Sequence, residues 1–311
     1  MVYLWVDGND PKWQAKRNIF TGNTDKKSEA NCKGRYENND ELKYSLRSVE
    51  KYAQWIRKIF IVTDNQIPDW LDITNPKIQI IDHKDILPEV ALPCFNSNVI
   101  ESCLYKISGL SEYFLYANDD MFFSNNVQPC FFFKNDGFPI VRLKRRIFGK
   151  LHYWIKFLAC KKPGSYRAAI YKAACLVEKK FGKYYACLPH HNIDAYKKAD
   201  FEEAVENIFS EEAKKSLHNH LRTREDLQRT IVLYCALAIG HGHLQYVGRK
   251  ESMRISAHKA DFTKFLRYKP KLLCLNDGQR VTDNDREKIK PFLEKLFPEK
   301  SSFEKRPDIK A

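Results

Sequence analysis

Through the first 120 residues, short apolar runs alternate with stretches whose apolar positions recur every three or four residues. The runs 2–6, 58–63, 78–81 and 113–117 are rich in Val, Ile, Tyr and Phe and predict strands. Between them, a segment from Asp40 to about Trp55 places Leu42, Leu46, Val49 and Ala53 on one face and predicts an amphipathic helix. Asn96 or Ser97 caps a second helix that carries Ile100, Leu104 and Ile107 inward. Strand–helix–strand order of this kind predicts an α/β core built on a mainly parallel sheet.

Each predicted strand runs directly into residues capable of chemistry: Asp7-Gly8-Asn9-Asp10, Asp64-Asn65-Gln66, Asp82-His83 and Asn118-Asp119-Asp120. Any one of them is an ordinary turn, because Asp, Asn and Gly favour turns for local reasons. Four at the carboxyl edge of one parallel sheet point to a ligand site. After Phe133 the pattern changes to a basic stretch and then to helical periodicity around 201–209 and 225–239. Asp283 is expected to cap a last helix with Ile289, Phe292, Leu293 and Leu296 inward, ended by Phe297-Pro298. The second half therefore reads as largely helical. Three regions result: 1–133 as an α/β core, 134–186 as a basic, aromatic insertion, and 187–311 as a helical region completing the site.

Composition narrows the class. A chain of 311 residues with 43% hydrophobic and 13% aromatic residues builds a core and is not disordered. The longest apolar run, 231–239, is too short to span a bilayer, and no apolar segment of the secretory type follows Met1. Nine scattered Cys without a C-x-x-C pair favour neither a zinc knuckle nor a disulfide framework, and a reducing cytoplasm is the expected setting. The net charge is +14, from 53 Lys and Arg against 39 Asp and Glu. Much of the excess lies at 142–180, where twelve Lys or Arg stand against Glu178 alone, interleaved with Phe148, Trp154, Phe157 and Tyr171. This predicts an anionic or interfacial partner, with a solvated basic helix pair as the even-weighted alternative. No nucleic-acid module is recognisable, and none is expected as a partner.

The adjacent carboxylates Asp119 and Asp120 offer hard oxygen ligands suited to magnesium or manganese. His190 and His191 follow Leu188-Pro189, whose extended backbone projects a neighbouring side chain, and histidine suits general acid–base work near neutral pH. Arg222, Arg224 and Arg229 beside Glu225-Asp226 read equally as a phosphate clamp and as helix-surface ion pairs. Walker, dinucleotide-binding, nucleophile-elbow and zincin motifs are all missing from the sequence. On residues alone, the chain reads as a metal-assisted transferase or hydrolase acting on an anionic substrate.

Longer strings carry a resemblance. Tyr3-Leu4-Trp5-Val6-Asp7-Gly8-Asn9-Asp10-Pro11 forms one block, and Asp40-Glu41-Leu42-Lys43-Tyr44-Ser45-Leu46-Arg47 opens a second that continues through Asp64-Asn65-Gln66, Phe95-Asn96-Ser97 and Ile100-Glu101 to Asn118-Asp119-Asp120. Leu188-Pro189-His190 and Leu221-Arg222 with Glu225-Asp226-Leu227-Gln228 mark a third. Cys274-Leu275-Asn276-Asp277 and Phe297-Pro298-Glu299 mark a fourth. These strings resemble the Stealth family of sugar-phosphate transferases, which includes bacterial capsule and exopolysaccharide phosphotransferases and the animal lysosomal-enzyme N-acetylglucosamine-1-phosphotransferase. Cys187 and Asn219 depart from the family pattern, standing where relatives often carry His.

The resemblance implies a glycosyltransferase-A-like core and transfer of a sugar 1-phosphate from a nucleotide sugar, usually UDP-linked, to a hydroxyl of an acceptor glycan, with release of nucleoside monophosphate. It implies magnesium or manganese held by Asp119 or Asp120 with Asn276 or Asp277. Asp7, Asp64, Asn65 and Gln66 would contact the nucleotide, Asn118 would bind substrate, and Arg47 and Arg222 would bind phosphate oxygens. Asn96, Ser97 and Glu101 would meet donor-sugar hydroxyls, and His190 would take the acceptor proton. A lipid-linked anionic acceptor and peripheral attachment to the inner leaflet fit the basic segment. The rival readings are an ordinary glycosyltransferase releasing nucleoside diphosphate and a polyanion-binding module without turnover.

Overall fold

The computed structural model describes residues 1–21, 36, 38–146, 151, 165–258, 261–278 and 280–306. Four parallel strands, β1 (Val2–Leu4), β2 (Ile59–Thr63), β3 (Ile78–Asp82) and β4 (Tyr113–Asn118), form the expected core in the order β3-β2-β1-β4. Their β-branched and aromatic residues alternate between two buried layers. Val2, Phe60, Val62 and Tyr116 face one layer, and Tyr3, Ile59, Ile61 and Leu115 face the other. The strand order reverses at β1, so the crevice at the carboxyl ends of β1 and β4 lies at a topological switch point.

The helix predicted from Asp40 runs over Glu41–Tyr52 (α2, following α1 at Pro11–Thr21) and buries Leu42, Leu46 and Val49 against the second layer. Burial of each of these side chains is worth roughly 1.5–3 kcal/mol. Two serines fix its position. Ser45 Oγ donates to the Met121 carbonyl at 2.5 Å, and the Phe123 N–H donates to Ser48 Oγ at 3.0 Å, which ties α2 across β5 (Met121–Phe123).

Helices outweigh strands after residue 187, but strands unmarked in the sequence reading do much of the structural tying. They are β6 (Ile140–Lys144), β7 (Leu188–Pro189), β8 (Asp194–Lys197), β9 (His243–Tyr246), β10 (Ser252–Ser256) and β11 (Leu272–Asn276). β8 joins the main sheet antiparallel to β4. β6 pairs with β7 and β9, and β11 lies between β10 and β5. The boundaries drawn at 133 and 186 therefore cut through hydrogen-bonded sheets, and the three regions are stretches of sequence rather than separate folding units. The helix Ser165–Phe181 packs against the apolar helix Thr230–Ile239.

Two local expectations are corrected. Thr282, not Asp283, caps the helix Asp283–Arg286, through a reciprocal capping box with Asp285. Arg142 does not belong to an exposed basic patch: it is buried with its guanidinium 3.7 Å from the Phe131 ring centroid, and burial lowers its pKa to about 10. Phe148, Trp154 and Phe157, on which the membrane expectation rested, lie outside the described residues. Among the described residues no helix is long and apolar enough to cross a membrane.

Candidate active site

At the switch-point edge, Gln66 joins the ends of β1 and β2. The Asp7 N–H donates to Gln66 Oε1 at 2.9 Å, and Gln66 Nε2 donates to the Asp7 carbonyl at 3.1 Å and to Asp10 Oδ2 at 2.9 Å. Gln66 thereby spends both ends of its amide on holding the Asp7 loop. Asn65 is exposed in a left-handed conformation, and Asp64 accepts from Lys16 of α1 at 2.6 Å. The Gly8 N–H donates to the Tyr36 carbonyl at 2.9 Å, and a Cβ on Gly8 would lie 2.0 Å from that oxygen. Only glycine permits this approach.

Asn118 ends β4, and Asp119 and Asp120 form the turn into β5. Asp120 Oδ2 accepts from the Cys274 thiol at 3.6 Å, whereas Oδ1 is buried without a hydrogen-bond partner. The tie between α2 and β5 brings Glu41, the first residue of α2, to the same place. Burial and the Asp120 charge push Asp119 up, burial and Glu41 push Asp120 up, and burial and Asp119 push Glu41 up, each to about 7. Mutually repelling carboxylates with an unpartnered inward oxygen fit a hard divalent cation, although among the described residues they are not already converged as a ligating group.

Sequence reasoning passed over Glu41, because an acidic residue in a helix first turn needs no explanation beyond the helix dipole. Asn276 stays close to the cluster, since the Leu275 N–H donates to the Asp120 carbonyl at 2.9 Å. Asp277 departs from the expected metal set. Both its oxygens accept from Arg286, at 2.7 and 3.1 Å, which neutralises the charge a metal would need.

A buried polar chain runs from this cluster to His190. The Tyr116 hydroxyl lies 2.7 Å from Asn118 Oδ1 and 3.1 Å from Glu101 Oε1, and Glu101 Oε2 lies 3.3 Å from Arg229 Nε. Arg229 Nη1 donates to Asp194 Oδ2 and to the Tyr196 hydroxyl. His190 Nε2 is 3.0 Å from Asp194 Oδ1 and Nδ1 is 2.8 Å from Ser252 Oγ. Burial opposes ionisation of Asp194, but Arg229 and His190 hold its pKa at about 2. Burial lowers the His190 pKa, so the ring is neutral and its single proton sits on Nε2, facing a carboxylate that can only accept. Nδ1 then accepts from Ser252. Glu101, expected at donor-sugar hydroxyls, is a buried member of this chain.

The histidine expected to project is therefore the enclosed one: His190 is 1% exposed, with both ring nitrogens engaged. Its neighbour His191 has the free nitrogen. His191 adopts φ 57°, packs its ring edge-on to Tyr166 at 5.0 Å, and leaves Nδ1 without a partner. Burial first, then Arg254, Arg229 and Lys144, keep its pKa well below the usual histidine value, so the imidazole is neutral, and a bound anion beside these cations would ease its protonation.

Two predicted phosphate ligands diverge. Arg222 Nη2 donates to Ser97 Oγ at the start of the helix Ser97–Ser102 (α4, after α3 at His83–Ile86). Its loop is pinned there because Asp226 accepts from Asn96 Nδ2 at 2.9 Å, Asn98 Nδ2 at 3.2 Å and the Thr223 N–H at 2.8 Å. Asn96 is accordingly a buried cap, accepting from the Asn98 N–H, rather than a group open to a sugar. Arg47 leaves the site. It forms a bidentate pair with Glu304, at 2.7 Å on each oxygen, and donates to the Phe297 carbonyl at 2.9 Å, locking the chain end onto α2.

Comparison with known proteins identifies the family. The chain matches the Stealth protein conserved region 1 over residues 1–25, conserved region 2 over 35–141 and conserved region 4 over 264–311. It is also 32% identical to an exopolysaccharide phosphotransferase of Lactiplantibacillus plantarum, over 98% of this chain and 95% of that protein. The chain belongs to the Stealth family. Two further relatives are the capsular polysaccharide phosphotransferase SacB of Neisseria meningitidis serogroup A, 33% identical over 98% of this chain and 56% of that protein, and the exopolysaccharide phosphotransferase SCO6023 of Streptomyces coelicolor, 49% identical over 44% of this chain and 23% of that protein. The solved galactosyltransferase LgtC aligns with a TM-score of 0.46 at 12% identity, covering 87% of this chain and 94% of that one. The family and the names of the relatives make the Stealth chain a transferase of polysaccharide synthesis. The third block read at Leu188-Pro189-His190 and Leu221-Arg222 falls between the matched regions.

Proposed function

We propose that this Stealth chain transfers a sugar 1-phosphate from a nucleotide sugar to a hydroxyl of an acceptor glycan and releases nucleoside monophosphate. The observation that carries the reading is an acidic cluster, Glu41, Asp119 and Asp120, with an unpartnered Asp120 oxygen, together with a buried histidine, His191, whose Nδ1 has no hydrogen-bond partner. A diphosphate needs the first, and a hydroxyl nucleophile needs the second.

The Asp7 loop and the ends of β2 and β4 receive the nucleotide. Glu41, Asp119 and Asp120, with Asn276 beside them, would hold a magnesium or manganese ion, which supplies neutralisation of diphosphate charge. Arg222 at Ser97, with Arg254 and Lys144, binds phosphate oxygens. The acceptor oxygen attacks the β-phosphorus and forms the new O–P bond. The bond from that phosphorus to the bridging oxygen breaks, and the bridging oxygen departs with the nucleoside monophosphate. His191 Nδ1 takes the hydroxyl proton, while His190, fixed between Asp194 and Ser252, sets the turn that presents it. Positioning and charge stabilisation supply most of the rate.

The test is to incubate the protein with magnesium, a panel of UDP-sugars and a cell-envelope acceptor fraction and to identify the nucleotide released. Acceptor-dependent UMP, lost in Asp120→Ala, supports the reading. UDP instead would make the chain an ordinary glycosyltransferase.

A further inference from the structure

A concavity of about 380 Å³ lies between Arg142 and Gln245, which pair across β6 and β9, and Lys271 at the start of β11. Lys134, Arg142 and Lys271 bring three cations to it, and Glu251 is its single acidic side chain. Glu251 is already engaged, accepting from Gln245 Nε2 at 2.5 Å and from the Gly248 N–H at 3.0 Å. None of the three cations forms an ion pair among the described residues.

Arg142 carries the argument. It is buried, its Nη2 donates to the Phe131 carbonyl, and its Nε has no hydrogen-bond partner. Its guanidinium and the Lys271 ammonium lie 3.7 and 4.9 Å from the centroid of the same Phe131 ring, which attracts both charges and neutralises neither. A buried guanidinium without a counter-charge costs stability, and an anion in the concavity would offset that cost. The amides of Asn126 and Gln128 line the same space and match hydroxyls as donors and acceptors.

Two of the walls hold His190. The Arg142 carbonyl accepts from the His190 N–H at 3.1 Å, and Glu251 immediately precedes Ser252, whose Oγ lies 2.8 Å from His190 Nδ1. The acidic cluster is elsewhere. Lys271 stands three residues before Cys274, whose thiol meets Asp120, so roughly 10 Å of extended chain separates the two places.

We infer that this concavity is an effector site for a small hydroxylated anion, a sugar phosphate or a sugar acid, whose binding steadies the turn that carries His190 and His191. The inference rests on the role proposed for that turn, and it adds a ligand that is neither donor nor acceptor. Lys134 and Lys271, both exposed, meet the anion at the rim, and Arg142 meets it within.

Cys130, exposed at the same concavity, reports its occupancy. The full chain is alkylated with iodoacetamide in the presence of glucose 6-phosphate, glucuronate, glucose or UDP, and labelling is read by peptide mass spectrometry with the exposed Cys175 as control. At least one of the two anions should slow labelling of Cys130, while glucose and UDP leave it unchanged and Cys175 labels as before. Which anion protects separates a phosphate from a carboxylate ligand. In the Lys134→Ser/Lys271→Ser variant the concentration needed for protection should rise about tenfold. In the parent, amide hydrogen exchange at His190 should slow about fivefold with the anion bound. Protection by glucose or UDP, no protection by either anion, a variant protected at the parent's concentration, or His190 exchange unmoved by a protecting anion would each overturn the inference. Neither readout needs turnover, so failure here is distinct from failure of the nucleotide-release assay.

Discussion

His190 Nε2 lies 3.0 Å from Asp194 Oδ1, with both side chains buried and Arg229 on the carboxylate's other oxygen. Asp194→Asn removes the charge that Arg229 neutralises and reverses the hydrogen-bond demand on the imidazole. Breaking a buried pair in this way costs about 3–5 kcal/mol. A thermal melt should show a large loss of stability. A melt within a degree of the parent would mean that Arg229 finds its counter-charge elsewhere.

The two histidines should separate kinetically. His191→Ala removes the proton acceptor and is expected to lower kcat by about 10²–10⁴-fold with KM for the donor little changed. His190→Asn keeps a side chain able to bond Asp194 and Ser252, and should retain more activity. The reverse order, with His190→Asn abolishing turnover and His191→Ala tolerated, would return the base to His190.

The acidic cluster predicts a pH-dependent response to metal. Its carboxyls titrate near 7 in the fold and near 4 when unfolded, so the unfolded chain binds fewer protons between those values. Without metal, the cluster's contribution to stability is full below about pH 4 and is lost as the pH rises through 7. A cation binds the deprotonated form. Magnesium or manganese at about 100 times its dissociation constant should add about 2.7 kcal/mol, with a larger rise in Tm at pH 8 than at pH 6. Asp120→Asn should abolish most of that rise. An equal rise at both pH values in the variant and the parent would place the cation elsewhere.

Arg47 is predicted to matter for stability alone. Arg47→Ala strands the buried Glu304 carboxylate and should lower Tm by several degrees while leaving donor KM within about threefold. A tenfold rise in donor KM with an unchanged Tm would restore its reading as a phosphate ligand.

The parallel core, the α2 face and the carboxyl edge were legible because their signals are periodic and local: alternation in the strands, a three-to-four spacing in α2, and polar residues where each strand stops. The short strands β6 to β11 escaped notice because their pairing is set by partners 20 to more than 100 residues away, and two to five residues carry little pattern of their own. For the site, Asp119 and Asp120 were visible as neighbours in sequence, whereas Glu41 joins them only through the packing of α2 on β5. Arg47 and Asp277 have the right chemistry for phosphate and metal, but Glu304 and Arg286 claim them, and no spacing in the sequence announces those pairs. With His190 and His191 the residue type was legible and the placement of the two rings was not, because it depends on a left-handed turn at His191, φ 57°.

The identity of the nucleotide released tests the central claim most directly. With magnesium, a UDP-sugar that the protein uses and a glycan acceptor, the account predicts acceptor-dependent UMP in equal amount to the sugar phosphate transferred, falling to background in Asp120→Ala. Release of UDP with sugar transferred free of phosphate would contradict it.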